Sequence, residues 1–252
     1  MGTVYAIANQ KGGVGKTTTT VNMGACVAAT GAQTLVVDLD AQCNATVALG
    51  HPRDLEPSSY DCLAGEVSVA EAARPAGPDN LWLVPANEDL AGASVELPRI
   101  ESFELRLRDS LGPVRERFGF TLLDCPPSLG PVAVNALVAA DRVIVPVQAE
   151  YLALEGLVRF LDTLKLVQRE LNPSLELAGI LITMADDRTR LSQDVERELR
   201  ENLPARVFKT VIPRSIRVAE APSFGDPVTR HAPESSGSKA YSALAQEVTS
   251  LG

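Results

Sequence analysis

Residues 9–18 read NQKGGVGKTT, and the reading of this stretch decides the fold. It follows an apolar, β-branched run, TVYAIAN (3–9), and leads into a helical pattern over 17–30 with Gly31 placed to stop it. A glycine-rich loop between a strand and a helix start is what a phosphate group requires. Glycines let backbone N–H groups converge on the anion, and the helix start adds a partial positive charge. The loop departs from the usual G-x-x-x-x-G-K-[ST] pattern at its first position. Gln10 stands where the first glycine belongs, and a second lysine, Lys11, precedes Lys16 by five residues. A glycine-rich turn that binds nothing is the bland alternative, and the strand-loop-helix context disfavours it.

Outward from the loop, short apolar runs alternate with helical patterns. The strands are expected at 3–9, 34–40, 81–84, 120–124, 142–147, 178–184 and 205–212, and the helices at 17–30, 89–111, 130–139, 153–171, 190–202 and 235–250. That alternation predicts an α/β fold, a doubly wound, mostly parallel sheet flanked by helices, with ligands at the carboxyl ends of the strands. Residues 51–80, punctuated by His51-Pro52, Pro57 and Pro75 to Pro78, are expected to form an irregular insertion with two short helices. No linker or internal repeat interrupts the chain, so a single domain over 1–252 is expected.

Composition narrows the function classes. The formal charge of −9 argues against a protein coated in positive charge, although a basic face can hide inside an acidic total. Cys26, Cys43, Cys62 and Cys125 show no CxxC spacing and follow no secretory leader, so a reducing cytoplasm is the simplest setting and neither a disulfide framework nor a zinc site is indicated. The longest apolar runs are strand-length, and residues 241–252 lack the basic amphipathic character of a membrane-surface helix.

The motifs assign roles to particular residues. Lys16 is placed to reach the β- and γ-phosphates of a nucleotide, and Thr17 to ligate Mg²⁺ through its hydroxyl. A nucleotide site also needs a carboxylate at the end of a neighbouring strand. FTLLD ends at Asp124 and turns sharply through Cys125-Pro126-Pro127-Ser128, which suits magnesium and a loop that senses the γ-phosphate. TLVVDLD ends with Asp38 and Asp40, two residues apart and expected on one face of a strand; Asp40 is the candidate for positioning the attacking water. Aspartates at strand ends also commonly cap turns, which is the rival reading for both.

Taken together, KGGVGKTT, LVVDLDAQCNAT, LLDCPPSLG, VPVQAEYLALEGL and TVIPRSIRVAEAPSFGDPV resemble the ParA/Soj group of deviant Walker A ATPases, which partition bacterial chromosomes and plasmids. The resemblance covers nearly the whole chain. It implies a P-loop NTPase using ATP and Mg²⁺, with Lys11, Gly12, Gly13, Val14, Gly15, Lys16, Thr17 and Thr18 as the phosphate loop, Asp40 as the hydrolysis aspartate and Asp124 as the Walker B position. It also implies that Lys11 crosses an ATP-sandwich homodimer to the other subunit's nucleotide. In that family the adenine site falls at Pro213 and at Ser215, where an asparagine is common. The usual D-P-Q-G-N reads Asp40-Ala41-Gln42-Cys43-Asn44 here, a change expected to alter the loop's rigidity and keep its carboxylate.

The same resemblance implies nonspecific binding of double-stranded DNA and a ParB-type centromere-binding partner that stimulates slow hydrolysis, in the cytoplasm at the nucleoid. Arg188 and Arg217 match positions implicated in DNA binding; Arg190 and Arg214 are added candidates. Between Pro204 and Arg217 stand Arg206, Lys209, Arg214 and Arg217 with no acid, a pattern suited to phosphate-backbone contact or, more blandly, to a solvated surface with acids folded nearby. No aromatic residue stands between Arg188 and Arg190 or between Arg214 and Arg217, so sequence-specific base reading is not expected. Two rivals share the loop: a MinD-like membrane-cycling regulator of cell division, which would need an amphipathic tail, and a metabolic ligase that makes an acyl phosphate.

Overall fold

The structure is a computed structural model that describes residues 2–150 and 153–251. Tyr151 and Leu152, inside one of the quoted motifs, lie outside the described residues. Eight strands form one sheet: β1 (Thr3–Ile7), β2 (Thr34–Asp38), β3 (Arg74–Pro75), β4 (Leu81–Val84), β5 (Phe120–Asp124), β6 (Arg142–Gln148), β7 (Glu176–Ala185) and β8 (Val207–Pro213). They lie in the order β3-β4-β2-β5-β1-β6-β7-β8, parallel except for the β3–β4 pair.

Strand periodicity feeds two cores at once. Along β1, Val4 and Ala6 enter one core while Tyr5 and Ile7 enter the other; in β6, Val143, Val145 and Val147 part from Ile144 in the same way. Because both faces are covered, the strands read as continuous apolar runs. The first core lies under the helices Pro131–Ala139, Ala153–Glu170 and Arg190–Asn202, which contribute Leu137, Phe160 and Leu199. The second lies under the helices Lys16–Ala28 and Ser236–Thr249, which contribute Met23, Tyr241 and Leu244. Gly24 lets the first of these helices sit close to the sheet: a Cβ there would stand 3.1 Å from Val36 Cγ2 and 3.2 Å from Leu122 Cδ1.

Register then positions the site. Ile7 and Asp38 both pair with Asp124, so the carboxyl ends of β1, β2 and β5 stop level with one another. The loop after β1, the acids after β2 and the exit of β5 are thereby delivered to one edge of the sheet, where ligands bind in such folds.

Three expectations need correction. The helix expected over 89–111 is broken: Leu90–Glu96 ends in a 3-10 turn at Leu97–Arg99, and after a second 3-10 turn at Phe103–Leu105 the chain resumes α-helix only at Arg106–Leu111. Pro98 lacks the N–H that a continuing helix would bond, and Ser102 adopts a left-handed backbone, φ 53°. The two-residue β3 was not foreseen, since it is an antiparallel edge strand holding a proline. Asp38 and Asp40 do not share a strand face, because β2 ends at Asp38 and Asp40 already lies in the following loop. The insertion does hold two short helices, Ser59–Ala64 and Val69–Ala72, each opened by a capping box, Ser58 with Asp61 and Ser68 with Glu71.

Candidate functional site

The glycine loop is pinned on both sides. Asn9 donates from Nδ2 to the Pro146 carbonyl at 2.8 Å and accepts the Lys11 N–H at 3.0 Å, which ties the loop's start to β6. Thr183 Oγ1 donates to the Val14 carbonyl at 2.8 Å and ties its end to β7. Gly13 and Gly15 take left-handed conformations, φ 74° and 89°, which a Cβ would strain. Nothing lies within 4 Å of a Cβ built on Gly12 or Gly13, so the loop's rim is open.

The two lysines stand in unlike surroundings. Lys16, the first residue of its helix, is buried, and its Nζ donates to the Lys11 carbonyl at 3.1 Å. Burial pushes its ammonium below the usual lysine range, against the pull of Asp124, Cys125 and Asp40. An anion above the loop would relieve that cost. Lys11 is half-exposed, its Nζ 3.7 Å from a Glu150 carboxylate oxygen.

Three aspartates at this edge of the sheet are in different states. Asp38 is fully buried; its Oδ2 accepts from Thr46 N at 2.8 Å and Thr46 Oγ1 at 2.7 Å, and its Oδ1 from Asp40 N at 3.1 Å. Its carboxylate bonds therefore shape the loop that carries Asp40. Asp40 is half-exposed, with one carboxylate oxygen bonded to Gln42 N at 3.0 Å. Asp124 is fully buried, accepts from Thr20 Oγ1 at 3.1 Å and leaves its Oδ2 without a hydrogen-bond partner. Burial, first, and the Asp38 charge, second, push its carboxyl well above the usual range, while the hydroxyls of Thr17 and Thr20 oppose the shift.

A buried carboxylate oxygen with no partner is costly and suits a cation. Among the described residues, no three of His, Cys, Asp and Glu converge to cage a metal. The donor set at hand, the Asp124 carboxylate and the Thr17 hydroxyl beside the phosphate loop, suits a magnesium that keeps its waters and takes phosphate oxygens as further ligands.

Beside the loop a cavity of about 210 Å³ opens between the ends of β7 and β8, lined by Gly15, Thr18, Met184, Pro213, Ser215 and Tyr241 among others. Pro213 and Ser215 thus stand on the wall of a hollow next to the phosphate loop, where a base could sit. Met184 and Tyr241 were not foreseen. Met184 has a left-handed backbone, φ 53°, and its sulfur lies 3.4 Å from Gln148 Nε2. Nothing in the local sequence marks either residue, since contact among positions 15, 184 and 241 exists only once the sheet is assembled.

Arg188, Arg190, Arg214 and Arg217 are all exposed and follow the carboxyl ends of β7 and β8, on the edge that carries the phosphate loop. The basic run from Pro204 to Arg217 does not form one patch. Arg206 precedes β8 and Lys209 lies within it, whereas Arg214 and Arg217 follow it; eight residues of extended chain put Arg206 roughly 26 Å from Arg214. Two of the four candidates are paired: Arg188 with Asp186 at 2.7 Å and Arg217 with Glu220 at 2.6 Å. Hydrogen bonds from Arg188 hold the Asp186 carboxyl at about 2, below its ordinary value.

Known proteins match this arrangement over its full length. The family described as an AAA domain matches residues 2–177. The sporulation initiation inhibitor protein Soj of Bacillus subtilis is 47% identical over 253 residues, covering 100% of both chains. The chromosome partitioning protein ParA of Caulobacter vibrioides is 45% identical over 250 residues, covering 98% of this chain and 94% of its own. Among solved structures, the ADP- and magnesium-bound cobyrinic acid a,c-diamide synthase of Mycobacterium smegmatis superimposes with a TM-score of 0.85 at 39% identity, over 98% of this chain and 93% of that one.

Proposed function

The chain belongs to the ParA/Soj family of chromosome-partitioning ATPases, and on that premise we propose that it is an ATP-driven switch that holds DNA as a dimer and releases it on hydrolysis. The observation that carries this reading is the pair of lysines in unlike surroundings, Lys16 buried at the phosphate loop and Lys11 partly exposed beside Glu150.

In this mechanism the loop N–H groups of residues 12–17 bind the β- and γ-phosphates, and Lys16 neutralises them from below. Lys11 extends to the nucleotide of a second copy, so that two ATP molecules are closed between two chains. Its ammonium adds charge where negative charge develops, as an arginine finger does. Asp124 and Thr17 would hold a magnesium ion, which would neutralise phosphate charge there. Asp40 orients water toward the γ-phosphorus, in line with the bond to the leaving β-phosphate oxygen. Asp38 keeps Asp40 in place through its backbone N–H and through Thr46. The cavity bounded by Pro213 and Ser215 takes the adenine.

Dimer closure doubles an arginine face that is weak in one copy, and effective concentration turns that doubling into nucleotide-gated DNA binding. The DNA contacts come from Arg188, Arg190, Arg214 and Arg217 and are directed at phosphates. A ParB-type partner accelerates turnover, and the protein resides in the cytoplasm on the nucleoid. Among the described residues, no helix is long and apolar enough to cross a membrane.

The test is DNA binding by the purified chain with ATP, ADP and no nucleotide across a salt series. Binding only with ATP, weakening steeply with salt, is the expected result. Absence of binding in every state removes the DNA role. The likeness to a diamide synthase favours a second reading, amide-bond synthesis through an acyl phosphate. That reading requires turnover to wait for a carboxylic-acid acceptor, whereas DNA-stimulated turnover without one rejects it.

A further inference from the structure

We infer that Asp186 and Glu220 are built-in competitors for nucleic-acid phosphate, each occupying one arginine of the proposed DNA face and so setting how tightly that face binds. The inference rests on the DNA-binding reading above and adds the residues that limit it.

Arg188 donates from Nε to Asp186 Oδ1 at 2.8 Å and from Nη2 to Asp186 Oδ2 at 2.7 Å. These two parallel bonds present the guanidinium fork as a phosphate would use it, and the acid therefore fills the recognition surface itself. Asp186 is not free to swing away, because its Oδ1 also accepts the Arg188 backbone N–H at 3.1 Å while its own N–H is held by Ser192 Oγ at 3.1 Å.

The second pair is anchored differently. Arg217 Nη1 donates to Glu220 Oε1 at 2.6 Å, three residues along the helix Ile216–Glu220. The same oxygen lies 3.0 Å from His231 Nε2, and the His231 ring stacks on Phe224 with centroids 4.5 Å apart. His231 is thus a positioning residue for Glu220. Arg190 and Arg214 form no ion pair among the described residues, although the Arg214 charge also acts on the Asp186 carboxylate.

Both paired arginines are open to a ligand, with side chains 88% and 63% exposed. A phosphate can reach them, but it must first displace the acid. An exposed ion pair resists weakly, so each acid lowers phosphate affinity by about two- to fivefold. In a dimer that presents both copies the penalty is squared, to roughly four- to twenty-five-fold for each kind of pair. A DNA switch that must let go gains from such a discount, since affinity held low in each copy makes closure of the dimer decisive.

The experiment measures DNA affinity of the full chain with ATP across a salt series for Asp186→Asn, Glu220→Gln and Asp187→Asn. Asparagine keeps an oxygen for the Arg188 N–H, and nucleotide affinity serves as the control for folding. Asp187→Asn removes the same charge from the neighbouring residue, whose carboxylate forms no ion pair among the described residues. The first two variants are expected to tighten DNA binding by about four- to twenty-five-fold, with Asp187→Asn well below them. The gain from Asp186→Asn is expected to shrink in an Arg188→Ala background, to the smaller part that comes from relieving Arg214. Equal tightening by Asp187→Asn, or none by Asp186→Asn and Glu220→Gln, overturns the inference while the DNA reading stands. If neither the unaltered chain nor any variant binds DNA, both fall.

Discussion

The ammonium of Lys16 donates to the carbonyl oxygen of Lys11 at 3.1 Å, while the ammonium of Lys11 turns toward Glu150 at 3.7 Å. One lysine is therefore buried at the loop and the other lies partly in solvent. Lys16→Ala removes a charge-assisted contact to phosphate and is expected to weaken nucleotide binding by about ten- to a hundredfold. Lys11→Ala should leave the isolated subunit's affinity within about twofold and abolish ATP-dependent dimerisation. A fluorescent ATP analogue reports the first and sedimentation the second; equal loss of nucleotide affinity in both variants refutes the division of roles.

Asp38 and Asp40 divide along a similar line. Asp38 accepts three hydrogen bonds that fix the chain from Asp40 to Thr46, whereas Asp40 is half-exposed and holds only the Gln42 N–H. Asp38→Ala strands buried donors and is expected to destabilise the fold by about 1–3 kcal/mol. Asp40→Ala should leave stability and ATP binding close to unaltered and trap the ATP-bound dimer. Thermal melts beside phosphate release separate the two, and undiminished turnover in Asp40→Ala removes that carboxylate from the mechanism.

What could be read before the structure, and what could not, follows from the range over which each signal acts. The seven longer strands were visible because each is an apolar run whose alternate residues enter separate cores, as Val143 and Ile144 do. The loop was visible because the positive φ of Gly13 and Gly15 demands glycine at fixed spacing. The wall of the cavity beside the loop was only half legible: Pro213 and Ser215 lie in a motif, but Met184 and Tyr241 join Gly15 in its lining only through the order of β1, β7 and β8. The basic run misled for the same reason, since β8 carries Arg206 and Arg214 to opposite ends of the sheet. The Arg217–Glu220 pair has helical i,i+3 spacing and could have been anticipated.

Gly50 and Gly225 meet backbone to backbone. Both have left-handed φ, 81° and 67°, and a Cβ on Gly225 would stand 2.7 Å from Gly50 Cα. This contact joins the segment after Asp40 to the turn that follows the Arg217 helix. Gly225→Ala must part the two segments and strain φ, at a cost of about 1–3 kcal/mol. A melt unchanged from the parent chain would show that the approach is looser than this.

Arg188 and Arg217 flank the phosphate edge of the sheet, and Arg206 lies at its other end, so the three give a position test for DNA binding. Each phosphate contact released lowers the slope of log affinity against log salt by about 0.9. In a dimer, Arg188→Ala or Arg217→Ala is therefore expected to flatten that slope by about 1.8 and to weaken binding in proportion at low salt. Arg217→Glu adds repulsion and should abolish retention while ATP still binds. Arg206→Ala should leave both slope and affinity unaltered, since a duplex on the phosphate edge does not reach it. If Arg206→Ala flattens the slope as far as Arg217→Ala does, the DNA path runs along β8 instead of across the ends of β7 and β8.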